Sequence, residues 1–65
     1  MGEAEERLAA FEDFAADVRA ELESTKARMD ELAVQGKVRT ATYCQLFAAR
    51  VTLREIDARL RERGL

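Results

Sequence analysis

The sequence predicts an all-α protein: a helical hairpin with a long first helix and a shorter second arm, assembling as a coiled-coil-like homodimer or four-helix bundle. Of its 65 residues, 48% are hydrophobic and 37% charged, and there is no proline, a composition that favours uninterrupted helix. Eight residues recur at alternating steps of three and four, the spacing of a coiled-coil face. This seam consists of Leu8, Phe11, Ala15, Val18, Leu22, Thr25, Met29 and Leu32.

The first helix is predicted over residues 3–35. Glu3, Glu5 and Glu6 lie in its first turn, where carboxylates interact favourably with the positive end of the helix dipole. Gly36 is the first glycine after the seam, and glycine readily adopts the left-handed conformation that ends a helix. A short link over residues 36–41 then joins antiparallel neighbours, so residues 1–65 form a single hairpin domain.

The second arm is predicted over residues 42–63, ending before Gly64. Thr42 and Gln45 match a capping box, in which the threonine hydroxyl accepts a hydrogen bond from the third helical amide. Thr42 is therefore the predicted N-cap of this arm.

The continuity of the second arm at Thr52 is open at the level of sequence. Thr52 and Glu55 match a second capping box, which favours a break or kink near residues 51–52. Against a break, five residues continue the three-four spacing straight through Thr52. They are Leu46, Ala49, Leu53, Ile56 and Leu60.

The lengths of the two arms predict an association surface. At 1.5 Å per residue the first helix is about 48 Å long and the second at most about 33 Å, so the N-terminal third of the first helix extends past its partner. Its apolar side chains are then buried only if a second chain packs on them, which predicts a homodimer. The alternative is that a different protein packs on the same side chains. The predicted interface residues are Leu8, Phe11, Phe14, Ala15, Val18 and Leu22.

Residues suited to catalysis or to metal binding are scarce in this sequence. Cys44 is the only cysteine and there is no histidine, so one chain offers neither a disulfide nor a thiol with an imidazole base. We therefore expect no enzyme activity, no cofactor and no metal. The short apolar runs predict no membrane association, and the single cysteine agrees with a cytoplasmic location.

The charged residues are divided unequally between the two halves of the chain. Residues 1–36 carry ten acidic and four basic side chains, whereas residues 37–65 carry three acidic and seven basic ones. Folding the halves back on each other neutralises much of this difference. The predicted function is a small interaction or regulatory module that acts through self-association and an apolar helix face.

A basic segment in the second half supports an alternative function. Residues 46–60, LFAARVTLREIDARL, resemble a helix-turn-helix DNA-binding motif with its turn at residues 51–52, although Arg50 stands where the family usually has glycine. The resemblance implies a nucleic-acid-binding regulator with a degenerate motif over residues 43–63, reading its target through Arg54, Arg59, Arg61 and Arg63. Interleaved acidic residues leave few of these cations free, so we expect no tight, salt-sensitive binding to duplex DNA or RNA.

Overall fold

The protein is a two-helix hairpin in which the helices pack against each other. The structure, a computed structural model, describes residues 2–65; helix α1 spans Glu3–Val34 and helix α2 spans Ala41–Glu62. The described chain measures 52 × 17 × 15 Å, so it is a rod a single helix pair thick. The prediction of an all-α chain with a long first helix and a shorter second one is confirmed.

Helix α1 begins and ends close to the predicted positions. It starts after Gly2, with Glu3, Glu5 and Glu6 in the first turn. It ends in a Schellman motif: Gly36 adopts φ 73°, and the amide of Lys37 donates to the carbonyl of Leu32 at 2.8 Å. Glycine adopts this left-handed conformation without the steric penalty of a Cβ atom, which explains why the helix ends here.

Helix α2 begins one residue earlier than predicted, and its N-cap is Thr40 rather than Thr42. The hydroxyl of Thr40 accepts from the amide of Tyr43 at 3.2 Å and donates to the carbonyl of Lys37 at 2.9 Å. Because this single hydroxyl bonds both the helix start and the preceding turn, it fixes the connection between the helices. Thr42 lies inside the first turn, so the capping-box prediction for Thr42 is wrong.

The break considered at Thr52 is absent, and α2 is one continuous helix from Ala41 to Glu62. The Thr52 hydroxyl donates to the carbonyl of Ala48, one turn earlier, at 3.3 Å. This is the usual bond of a threonine inside a helix, and it uses the hydroxyl that a cap would need. Continuity keeps Leu53, Ile56 and Leu60 on the side of α2 that packs against α1.

A second Schellman motif ends α2. Gly64 adopts φ 81°, and the amide of Leu65 donates to the carbonyl of Leu60 at 2.9 Å. This turn folds the side chain of Leu65 back against the core beside Leu60. The end of α2 is therefore closed by an apolar contact as well as by hydrogen bonds.

The hydrophobic core is small and lies between the two helices. Its centre is formed by Ala15, Val18 and Leu60, which are 2%, 4% and 8% exposed. Four partly buried side chains pack around them: Leu22, Leu53, Ile56 and Leu65. Met29 and Leu32 are also buried, further toward the link. The seam is thus used inside the chain from Ala15 to its C-terminal end.

Replacing Thr40 by alanine tests the assigned cap. Losing a threonine N-cap costs about 1 kcal/mol of stability, which lowers the melting temperature of a domain this small by roughly 4–8 °C. Thr42→Ala is the matched control and should leave the melting temperature unchanged or slightly raised, since alanine is the better helix former. Thermal unfolding followed by circular dichroism measures both; a larger loss for Thr42→Ala would contradict the assignment.

Candidate interaction surfaces

The N-terminal part of α1 extends beyond the end of α2. Helix α1 has 32 residues and α2 has 22, and the last turn of α2 lies beside Ala15 and Val18 through Leu60. At 1.5 Å per residue, the ten extra residues correspond to about 15 Å of helix. Residues 3–14, which are the part of α1 that precedes the buried Ala15, are called the overhang below. The overhang predicted from the helix lengths is therefore present.

Three large apolar side chains of the overhang are about half exposed. Leu8, Phe11 and Phe14 are 52%, 55% and 48% exposed, and they lie on the side of α1 that carries the buried Ala15 and Val18. We call these three residues the overhang face. A shallow apolar depression surrounds Phe11 and Phe14, with Arg7 and Ala10 as its other lining residues. The face is thus the continuation of the core surface without the covering helix.

The overhang face continues into a notch at the end of the hairpin. In this notch Phe14 of α1 lies next to Ile56 and Leu60 of α2. Arg59, Glu62 and Arg63 line the notch as well, which places two cations and one carboxylate beside the apolar side chains. A partner on the overhang face could therefore extend its contact onto α2.

The six predicted interface residues fall into two groups. Leu8, Phe11 and Phe14 are exposed, whereas Ala15 and Val18 are buried between α1 and α2, and Leu22 is half-buried at the edge of the core. Buried residues have almost no surface left for a second chain. The accessible part of the predicted interface is therefore the overhang face alone.

A separate basic groove of about 380 Å³ runs along the helix pair. Its lining residues are Arg19, Leu22, Glu23, Lys26, Arg50, Arg54, Asp57 and Arg61. These comprise five cations and two carboxylates, an excess of three positive charges in a chain with net charge −2. The basic groove and the apolar notch share no lining residue.

Asp57 occupies the centre of the ion pairs in this groove. Its carboxylate accepts from Nε of Arg61 at 2.9 Å along α2, and from Nε of Arg19 at 2.8 Å across the helix interface. The hydrogen bond from Arg61, followed by that from Arg19, holds the pKa of Asp57 below its usual value, since both favour the ionised carboxylate. The Arg19 bond also ties the two helices in one register.

The remaining cations of the groove have no ion-pair partner among residues 2–65: Lys26, Arg50 and Arg54. Nε of Arg50 is shielded from solvent and has no acceptor in the described part of the chain. An unpaired N–H on a charged group out of contact with water is unfavourable. Positive charge is therefore concentrated here without full compensation.

The sequence-based reading did not identify this groove, although part of its signal is visible. Residues 37–54 contain four cations and no acidic residue, and Arg50 and Arg54 are one turn apart on α2. Their convergence with Arg19 and Lys26 depends on how α2 packs on α1, which no local pattern specifies.

The turn that the helix-turn-helix alternative requires is not present in α2. That motif needs a turn at Val51 and Thr52, and both residues lie inside the continuous helix α2. The four arginines assigned to it are also divided between two surfaces. Arg54 and Arg61 line the basic groove, whereas Arg59 and Arg63 line the apolar notch. They do not form one face for reading a nucleic-acid groove.

The described residues were also examined for a reactive cysteine, a metal site and a membrane-spanning helix. Cys44 is exposed at the start of α2. Within residues 2–65, no three histidine, cysteine or acidic side chains cluster closely enough to hold a metal ion. Neither helix in that range is long and apolar enough to cross a membrane.

Comparisons with known proteins do not assign this chain to a family. Comparisons with protein-family models, with curated proteins and with solved structures find no match to this chain. The class defined by the structure is that of an all-α two-helix hairpin, and the functional argument rests on its surfaces.

Asp57 makes the stability of the hairpin depend on pH. A carboxyl group whose pKa is lowered by folding stabilises the native state above its unfolded pKa of about 3.9, and this contribution is lost as the pH falls toward the folded value. Asp57→Asn should therefore lower the melting temperature at pH 7 and have a much smaller effect near the folded pKa, where wild-type Asp57 is itself largely neutral.

Thermal unfolding of both chains between neutral and acidic pH measures this difference. Asp30→Asn is the control, because Asp30 is exposed and has no ion-pair partner in the described range. An Asp57→Asn deficit that stays constant down to the lowest pH would contradict an electrostatic role for Asp57.

Proposed function

We propose that this chain is a non-enzymatic interaction module that works by self-association, with the overhang face as its docking surface. The observation that carries the proposal is the half-exposed state of Leu8, Phe11 and Phe14 on the uncovered end of a coiled-coil seam. Such a face is apolar, regular and held on a rigid helix, which suits it to packing against another helix.

The energies involved favour a partner that lies along the hairpin over one that touches only its tip. Burying the exposed half of each large side chain contributes about 1 kcal/mol, so the overhang face supplies roughly 3 kcal/mol per chain, or about 6 kcal/mol in a symmetric dimer. Association costs about 4–15 kcal/mol in lost translational and rotational freedom. Further contact, through the notch formed by Phe14, Ile56 and Leu60, is therefore needed.

The distribution of charge favours a second copy as the partner. Residues 3–14 carry five acidic side chains and one basic one, whereas residues 37–49 carry two basic side chains and no acidic one. These segments lie toward opposite ends of the hairpin and cannot meet within one chain. In an antiparallel pair of hairpins each acidic end lies beside the basic end of the other copy, and a two-fold axis satisfies both contacts at once.

An enzymatic role has little support in the residues. The sequence contains no histidine that could serve as a general base, and most of its carboxylates are spread along exposed helix surfaces. We therefore assign the chain an interaction or regulatory role, with no cofactor and no metal. A different protein docking on the same face is the outcome that would replace self-association.

Replacing Phe11 by alanine tests the docking surface. Phe11 is half exposed in the single hairpin, so its loss should change the helical content little. In a symmetric dimer the side chain is lost twice, and the dissociation constant should rise by at least about tenfold. Ser24→Ala is the control, since Ser24 is exposed in the middle of α1, away from both ends of the hairpin, and should not alter the mass.

Sedimentation equilibrium over a range of concentrations measures the mass and the dissociation constant of the wild-type chain and of both variants. A folded wild-type monomer at tens of micromolar would rule out self-association. A dimer weakened equally by Phe11→Ala and Ser24→Ala would show that the overhang face is not the docking surface.

The antiparallel arrangement makes a separate prediction about disulfide cross-links. Cys44 lies near the link, so an antiparallel dimer places its two copies at opposite ends and oxidation should not join them. A cysteine introduced at Ala4, in the overhang, should instead cross-link to Cys44 of the other copy. Non-reducing electrophoresis after mild oxidation detects this, with Ala4→Cys/Cys44→Ser as the control. Rapid linkage of wild-type chains through Cys44 would indicate a parallel dimer.

A further inference from the structure

The basic groove is a second surface that self-association through the overhang face does not use. It is lined by residues of both helices, with Arg19 and Lys26 from α1 and Arg50, Arg54 and Arg61 from α2. Arg19 and Lys26 are seven residues apart, so the cations extend over about 10 Å of the helix pair. This length is that of a small linear ligand.

The charges in the groove are incompletely neutralised by the protein itself. Asp57 accepts hydrogen bonds from Arg61 and Arg19, and its single negative charge is shared between them. Glu23 is the only other carboxylate in the lining. The five cations therefore repel one another, and a bound anion of several charges would relieve that repulsion.

Arginine donors determine which anion is suited to the groove. Guanidinium groups offer paired N–H donors that match two oxygens of a phosphate or carboxylate. Lys26, Arg50 and Arg54 have no ion-pair partner within residues 2–65. A ligand with several oxygens close together would supply acceptors to these groups in one binding event.

The lining argues against a protein helix as the occupant. An amphipathic helix needs an apolar floor, and Leu22 is the only apolar residue among those that line the groove. The overhang face, by contrast, provides the apolar surface that a helix requires. The occupant of the basic groove is therefore a small polar anion.

We propose that the groove between α1 and α2 is a binding site for a short linear polyphosphate group, a diphosphate or triphosphate, held by Lys26, Arg50 and Arg54. Arg19 and Arg61 stay bonded to Asp57 and contribute through their charge. The site takes inorganic polyphosphate or the phosphate chain of a nucleotide, because both present the same oxygens. The proposal does not depend on the oligomeric state of the chain.

Isothermal titration calorimetry of the full chain with sodium tripolyphosphate, in the absence of divalent cations, tests the site. Wild-type protein should bind tripolyphosphate at least about tenfold more tightly than inorganic phosphate, because only the longer anion reaches several cations at once. A parallel titration with a nucleoside triphosphate distinguishes the two sources: equal affinity indicates recognition of the phosphates alone, and tighter binding indicates an added contact with the nucleoside. Both results support the site.

The matched variants are Arg50→Gln/Arg54→Gln and Arg59→Gln/Arg63→Gln, which remove the same charge from the groove and from the apolar notch. The groove variant should weaken tripolyphosphate binding by at least about tenfold, and the notch variant by much less. Arg54→Gln alone, at an exposed position, replaces the double variant if the latter fails to fold, and should still weaken binding severalfold.

Three results would overturn the proposal. One is equal loss of affinity in the groove and notch variants, which would mean that only net charge matters. Another is equal affinity for phosphate and tripolyphosphate. The last is tighter binding of a short RNA duplex, reduced in both variants, which would make the surface a general nucleic-acid contact.

Discussion

The structure depends on one constraint: helix α2 covers only part of the apolar seam of α1. The rise of an α-helix is constant, so a helix of 32 residues necessarily extends past one of 22. Gly64 ends α2 in a left-handed turn that brings Leu65 back onto the core, and the covered region therefore ends near Ala15. Beyond this region Leu8, Phe11 and Phe14 remain about half exposed, with Phe14 at the edge of α2. The same length difference that limits the core thus creates the overhang face.

Ion pairing gives this small core a specific register. The centre of the core consists of Ala15, Val18 and Leu60, and residues of this size allow close approach of the helices without specifying their relative position tightly. The bond between Arg19 and Asp57 crosses the interface at one level and adds a directional requirement to the apolar contact. Arg61 holds the same carboxylate from within α2, which keeps Asp57 ionised and oriented. Register is therefore determined jointly by shape and by charge.

The two surfaces of the hairpin differ in the partners that they suit. The overhang face and the notch beside it present aromatic and aliphatic groups on a rigid helix, which favours another helix. The basic groove presents guanidinium and ammonium groups around a single leucine, which favours a compact anion. The notch and the groove share no lining residue, so a partner bound at one does not occupy the other. The proposed self-association and the proposed anion binding are therefore compatible with each other.

The sequence alone determined the helices, their approximate limits and the existence of an overhang, because those features follow from local residue spacing and from glycines at positions 36 and 64. The N-cap of α2 was predicted at Thr42 but lies at Thr40, whose hydroxyl makes local hydrogen bonds to the amide of Tyr43 and the carbonyl of Lys37. Tertiary structure decided whether α2 breaks at Thr52. Thr52 matches a cap equally well, yet packing of Leu53, Ile56 and Leu60 on α1 keeps the helix continuous. A heptad seam likewise does not specify whether Ala15 and Val18 pack within their own chain or against another chain. The convergence of Arg50 and Arg54 with Lys26 arises only when α2 packs on α1. In both cases the contacts join distant residues and therefore depend on the packing of whole helices.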